Sequence, residues 1–189
     1  MVAVPDPPAH GGAAAPGPLH LVQSFASTLG TDQDTDLLHT REQAAAWLHA
    51  AALLPAEAGL TNSEHAALLR LRGSIRDVLA AHTEGREDAE AAARLTRALA
   101  DGRLVLTVDP ASTVRLASAA RASYPNLVAA VAIAIAESAA AGTWLRLKSC
   151  SVPRCGQAFY DDTGSAAGTH CSRHASGTAQ TSRTRSPGQ

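Results

Sequence analysis

The first 149 residues contain no cysteine, and the three that exist, Cys150, Cys155 and Cys171, fall in the last forty positions. An odd number of thiols gathered at one end argues against the disulfide framework of a small secreted domain. Aromatic residues are almost as scarce: two Phe, two Trp and two Tyr make up 3% of the chain. The hydrophobic share of 46% is swollen by alanine, so a core must be built mainly from Ala, Leu and Val. Such a core favours closely packed helices. Lysine is reduced to Lys148 alone against fifteen Arg, as expected of GC-rich bacterial coding. Long apolar runs are missing too. The most apolar stretch, residues 127–136, is too short to cross a bilayer and is followed at once by Glu137.

Other absences bear on function. No G-x-S-x-G, phosphate-binding loop or dinucleotide fingerprint occurs, so the chain is not expected to be an enzyme. Residues 1–18 lack the basic start and continuous apolar centre of a signal peptide; rich in Pro, Gly and Ala, they are expected to be disordered. The expected location is the cytoplasm, without membrane contact.

What is present begins with length. The 189 residues suit one ordinary domain and a small appendage, with no internal repeat. The overall charge of −1 conceals a division. Residues 146–189 carry Arg146, Lys148, Arg154, Arg173, Arg183 and Arg185 against Asp161 and Asp162, a net +4, which leaves −5 on the rest. An acidic body with a basic tail suits an anionic partner such as nucleic acid.

The pattern along the chain is mainly helical. Residues 19–29 (LHLVQSFASTL) are apolar, and periodicity does not decide between helix and strand. Thr40-Arg41-Glu42-Gln43 is a capping-box sequence ahead of a short helix over 44–53, with Trp47, Leu48 and Ala51 on its buried side. Thr61-Asn62-Ser63-Glu64 repeats the signal before a longer helix reaching about His82. There Leu68, Leu71, Ile75, Val78 and Leu79 share one face, and the Arg-rich remainder, with Arg70, Arg72 and Arg76, reads as solvated surface. Glu87, Asp88 and Glu90 open a third helix that runs to Gly102. Residues 103–108 and 113–117, joined at Asp109-Pro110, predict a hairpin. Pro125 opens a last helix ending at Gly142. The histidines His10, His20, His39, His49, His65 and His82 are expected on surfaces, outside any site.

The C-terminal constellation is the strongest signal. Cys150 and Cys155 stand in C-x4-C, and Cys171 follows fifteen residues later in C-x2-H with His174. Thiolates and imidazole are zinc ligands, and two close pairs separated by a loop can staple a segment too small for its own core. The expected ligands are Cys150, Cys155, Cys171 and His174, holding Zn2+ with no open coordination position. His170 suits the role less, because adjacent residues seldom reach one ion in tetrahedral geometry. The alternative is a finger that has lost its metal and keeps reduced thiols. Phe159 and Tyr160 are expected to form a short strand against the site. Lys148, Arg154, Arg173, Arg183 and Arg185 are the candidate phosphate contacts, or else a solvated basic face.

These residues carry a resemblance. Residues 21–29 (LVQSFASTL), 40–53 and 146–172, the last with C-x4-C-G and fifteen residues before C-S, resemble the bacterial ABATE-domain proteins with a C-terminal CGNR zinc finger. That family is assigned to stress-induced transcription regulation, which implies DNA as partner. The chain departs from it at Ser176-Gly177-Thr178-Ala179, where the family places a cysteine, glycine, asparagine and arginine; His174 can replace the missing ligand. The expected architecture is mainly α: a disordered segment 1–18, a helical domain 19–143 with a small β-hairpin, a zinc ribbon-like module 144–176 and a flexible basic tail 177–189. The expected function is DNA-binding transcriptional regulation, with the helical domain as a sensing unit or as the contact of a homodimer. Two alternatives stand beside it: a zinc-stabilised protein-interaction adaptor that does not bind DNA, and a small ligand held between the helices.

Overall fold

Capping chemistry sets the helix starts. A computed structural model describes residues 13–30, 36–119 and 124–175. In it Thr40 Oγ1 accepts from the Gln43 N–H at 3.2 Å while Gln43 Oε1 accepts from the Thr40 N–H at 3.0 Å. Thr61 and Glu64 exchange the same reciprocal pair. These boxes open α2 (Arg41–Ala50) and α3 (Asn62–Glu84). α2 is shorter than the 44–53 reading at its C-terminal end, and Ala52 turns out of it at φ 53°. α3 stops at Gly85, whose φ of 62° lets the Arg86 N–H return to Ala81 O. The undecided opening segment is a helix, α1 (Leu19–Ala26), and Asp88 caps α4 (Ala89–Leu99) through the Ala91 N–H.

β1 (Leu104–Val108) and β2 (Val114–Ser118) pair antiparallel in the expected hairpin, with Leu106 opposite Leu116. α5 (Tyr124–Ala140) follows, then a 3₁₀ turn at Trp144–Arg146. Two short strands, β3 (Leu147–Ser149) and β4 (Ala158–Tyr160), form a second ribbon. The fold is thus mainly α with two small antiparallel ribbons, and no described helix is long and apolar enough to cross a membrane.

The core is aliphatic, as the composition demands. Leu19, Val22, Phe25, Leu48, Leu68, Leu71, Ile75, Leu79, Leu127 and Val131 are buried together, with alanines between them. Phe25 and Trp47 pack with ring centroids 5.5 Å apart, a large share of the little aromatic surface available. Gln23 lies inside α1 with no exposure, and its amide explains why. Its Oε1 accepts from Ala15 N–H at 2.7 Å and its Nε2 donates to Ala13 O at 3.1 Å. Residues 13–18, counted in the expected disordered segment, are held on α1 this way; residues 1–12 lie outside the described residues.

The Arg-rich side of α3 is solvated at Arg70, as expected, but not at Arg72 and Arg76. Arg72 is buried, and its two terminal nitrogens meet the two Asp36 oxygens at 2.5 and 2.8 Å, with Thr28 Oγ1 at 3.2 Å. Burial alone would raise the Asp36 carboxyl, and the Arg72 hydrogen bonds bring it below its ordinary value. Arg76 donates to Ala26 O at 2.9 Å. Both cations are turned inward because α1 and the loop after it leave carbonyls and a carboxylate that a helix surface could not otherwise satisfy. Three histidines are also tied in. His49 bonds Ala58 O, His65 bonds Leu38 O, and His82 bonds Leu147 O. Histidine periodicity carries no signal for such loop-to-helix ties.

Candidate metal centre

α3 is the platform for the C-terminal residues. Leu147 and Ala158, from β3 and β4, belong to the helical core. The Thr83 hydroxyl donates to Ser149 O at 2.7 Å and accepts from the Ser149 N–H at 3.0 Å, and His82 packs edge-on against Trp144 at 5.0 Å. Gln157 reaches α1's end, donating to Ser27 Oγ at 2.9 Å. The ribbon therefore emerges from the helices in a fixed position, with Cys150 at the end of β3.

The chain between β3 and β4 forms the knuckle. Cys150 N–H bonds Gln157 O and Cys155 N–H bonds Val152 O, which folds the two cysteines toward each other. Arg154 and Gly156 both adopt positive φ, 66° and 52°. A Cβ on Gly156 would meet the end of the Arg76 side chain, which would have to shift, so the glycine answers the backbone conformation first and the space second.

The loop after β4 brings the second ligand pair round, and a buried ion pair shapes it. Lys148 Nζ donates to Asp161 Oδ2 at 2.8 Å, to Ala166 O at 2.5 Å and to Gly168 O at 3.0 Å. Asp161 accepts further bonds from the Thr163 hydroxyl and the Gly168 N–H. Burial would raise this carboxyl, but those donors prevail and hold it down at about 2. Ser151 N–H then bonds Thr169 O, closing the loop on the knuckle. Cys171 follows, and one helical turn, residues 172–175, carries His174 back over it.

Four ligand atoms converge as a result. Cys150, Cys155, Cys171 and His174 place theirs within 4.8 Å of one another, and the three cysteines are buried. His174 presents Nδ1, at 3.4 Å from Cys150 Sγ and 3.5 Å from Cys171 Sγ, while Cys155 and Cys171 sulfurs stand 3.9 Å apart. Ordinary zinc bond lengths in a tetrahedron give edges of about 3.8 Å between sulfurs and about 3.6 Å from sulfur to nitrogen. The donor set and its spacing fit one metal ion. Phe159 and Val152 cover the cysteines with apolar surface, which is the role expected of Phe159. Burial and the neighbouring Cys150 thiol push Cys155 up to about 12, and Cys171 is raised as well. His170 stays out of the cluster, its ring against Ser151 and Thr169.

The basic residues divide. Arg154 and Arg173 are exposed beside the ligands. Lys148, also expected among the phosphate contacts, is 4% exposed, and its ammonium is engaged by Asp161 and two carbonyls, so it is not available to an outside anion. The only lysine of the chain is an internal tie, and its alternation within a three-residue strand is too brief to show that. Arg183, Arg185 and Ser176 lie outside the described residues. Sequence reasoning also missed Thr83, His82, Gln157 and Ser27, which hold the site to the helices; their partners are far away in sequence and no local pattern marks them. A cleft of about 450 Å³ between α3 and α4, lined by Arg70, Asp77, Arg94, Arg97, Asp101 and Tyr124, was equally invisible.

Fold and site together define a helical domain carrying a C-terminal module whose Cys3His cluster could hold a metal ion. Residues 19–142 match the ABATE family model, described as "Putative stress-induced transcription regulator", and the chain belongs to that family. The Cys3His cluster beyond the matched span is consistent with a CGNR-type zinc site. Comparison with curated proteins gives no match.

Proposed function

We propose that this protein is a cytoplasmic, DNA-binding transcriptional regulator whose C-terminal module is stapled by zinc, with the helical domain as its sensing or dimerisation unit. The observation that carries the reading is the closed Cys3His cluster flanked by the exposed Arg154 and Arg173, on a chain whose family is described as regulating transcription. Three thiolates and an imidazole at tetrahedral spacing suit zinc and leave no position for a substrate, so the metal's part is structural. The reading is of a binding protein rather than an enzyme. Arg154 and Arg173, with Arg183 and Arg185 further along the chain, are the phosphate contacts; Lys148 holds the module's loop instead. The cleft between α3 and α4 is the place for an effector.

Mobility-shift titration with duplex DNA tests this. Four phosphate contacts imply that affinity falls roughly a hundredfold between about 50 mM and about 200 mM salt. Arg154→Ala should reduce the salt slope by about one. Affinity that stays flat over that range would sink the proposal. One observation favours the second reading, a zinc-stabilised adaptor: Ser176-Gly177-Thr178-Ala179 lacks the asparagine and arginine of the family's signature. Salt-insensitive capture of a protein partner, with no affinity for duplex DNA, would select it.

A further inference from the structure

The β1–β2 hairpin has one largely aliphatic face. Cross-strand pairs share a face, so the register sets Leu104, Leu106 and Val108 beside Val114 and Leu116, with Ser118 at the base. All five aliphatic side chains are exposed, at 42%, 63%, 60%, 57% and 40% in that order. The hairpin is nonetheless well made. Asp109 Oδ1 accepts from the N–H groups of Ala111 and Thr113, and five residue pairs bridge the strands. The other face, Val105, Thr107, Arg115 and Ala117, carries the ribbon's only charge, and β2 is the strand that meets α5.

A two-stranded ribbon is marginal in water unless a face is covered or a strand added. The strands also lack the devices that keep a lone ribbon single, since the aliphatic face carries neither charge nor proline. We propose that this face is the contact through which two copies of the chain associate, hairpin on hairpin about a two-fold axis through the Leu106–Leu116 pair. The inference does not depend on DNA binding.

Two features select a second copy as the occupant. The face offers no charge and, apart from Ser118, no side-chain hydrogen bond, so neither nucleic acid nor a charged peptide is complementary to it. An identical face is. The five side chains present roughly 400 Å² of apolar surface, so two such faces bury about 800 Å², the size of a weak, reversible contact. Of the remaining exposed large aliphatics among the described residues, Val105 lies on the hairpin's other face at 41%, and Leu37 and Leu145 belong to separate segments.

Sedimentation velocity on the full chain, over a micromolar concentration series, tests the assignment. The parent should show a concentration-dependent monomer–dimer equilibrium. Leu106→Asp and, separately, Val114→Lys should weaken it by roughly tenfold or more, because a charge is buried at the centre of the contact. Both positions are more than half exposed, so circular dichroism and melting temperature should stay at parental values. Leu145→Asp, exposed to 67% off the hairpin, should leave the equilibrium unchanged. A parent that sediments as a monomer throughout, or a dimer indifferent to Leu106→Asp and Val114→Lys, would overturn the proposal.

Discussion

Gln157 and Ser27, 130 residues apart in sequence, meet side chain to side chain at 2.9 Å with both residues buried. The bond joins the ribbon that carries the Cys3His cluster to the end of the first helix. Gln157→Ala leaves the Ser27 hydroxyl without this partner in a site closed to bulk water, at a cost of about 1–3 kcal/mol. Paired with Ser27→Ala in a double-mutant cycle, it should show a coupling of about 1 kcal/mol in chemical unfolding. Additive effects would mean that the contact carries no energy of its own.

The Lys148–Asp161 pair gives a second expectation. Asp161→Asn removes one member of a buried ion pair and should destabilise the protein by roughly 3–5 kcal/mol, measurable by urea denaturation. The acid limb has a definite sign. A carboxyl whose folded value is depressed from 3.8 to about 2 contributes stability that is complete above the higher value and lost as pH falls through the lower. The parent should therefore lose stability between these limits, and Asp161→Asn should lack that component.

His174→Ala removes the only nitrogen of the ligand set. Zinc content, one equivalent per chain in the parent by elemental analysis, should drop sharply in this variant, and competition with a chromophoric chelator should show affinity at least tenfold lower. His170→Ala should leave both values unchanged, since that ring is bonded outside the cluster. Equal loss in the two variants would contradict the assignment.

Gly156→Ala introduces a methyl group where φ is 52° and the Arg76 guanidinium occupies the space. The left-handed conformation alone costs about 1–2 kcal/mol, before any displacement of Arg76. Thermal melting of the metal-loaded chain should fall by several degrees, roughly 2–4 °C per kcal/mol for a chain of this size. Gly164→Ala is a fitting control, since no atom stands within 4 Å of a Cβ there and its φ is not in that region.

Much of this was legible because it is local. Thr40 with Gln43 and Thr61 with Glu64 announce helix starts through bonds spanning three residues, and Gly85 announces a stop. The ligand spacing of Cys150, Cys155, Cys171 and His174 is likewise a property of a short stretch. The failures have a common physical cause. Arg72 satisfies Asp36 and Lys148 satisfies Asp161, so two long cations that composition assigns to the surface are buried by partners 36 and 13 residues away. Nothing in a 3.6-residue or two-residue period records such a partner. The hairpin's exposed aliphatic face was hidden for the opposite reason, because alternation marks a strand without stating whether anything covers it.

The fourth donor lies only three residues after Cys171, on the same short turn. A four-donor set is complete at His174, two positions before the place where the family this chain resembles has a cysteine. On the proposed zinc reading, everything from Ser176 onward is released from any duty to hold the metal. The anchoring of the module and the chemistry of whatever follows it could then drift apart, so that substitutions in the tail would change its contacts without touching the fold of the module.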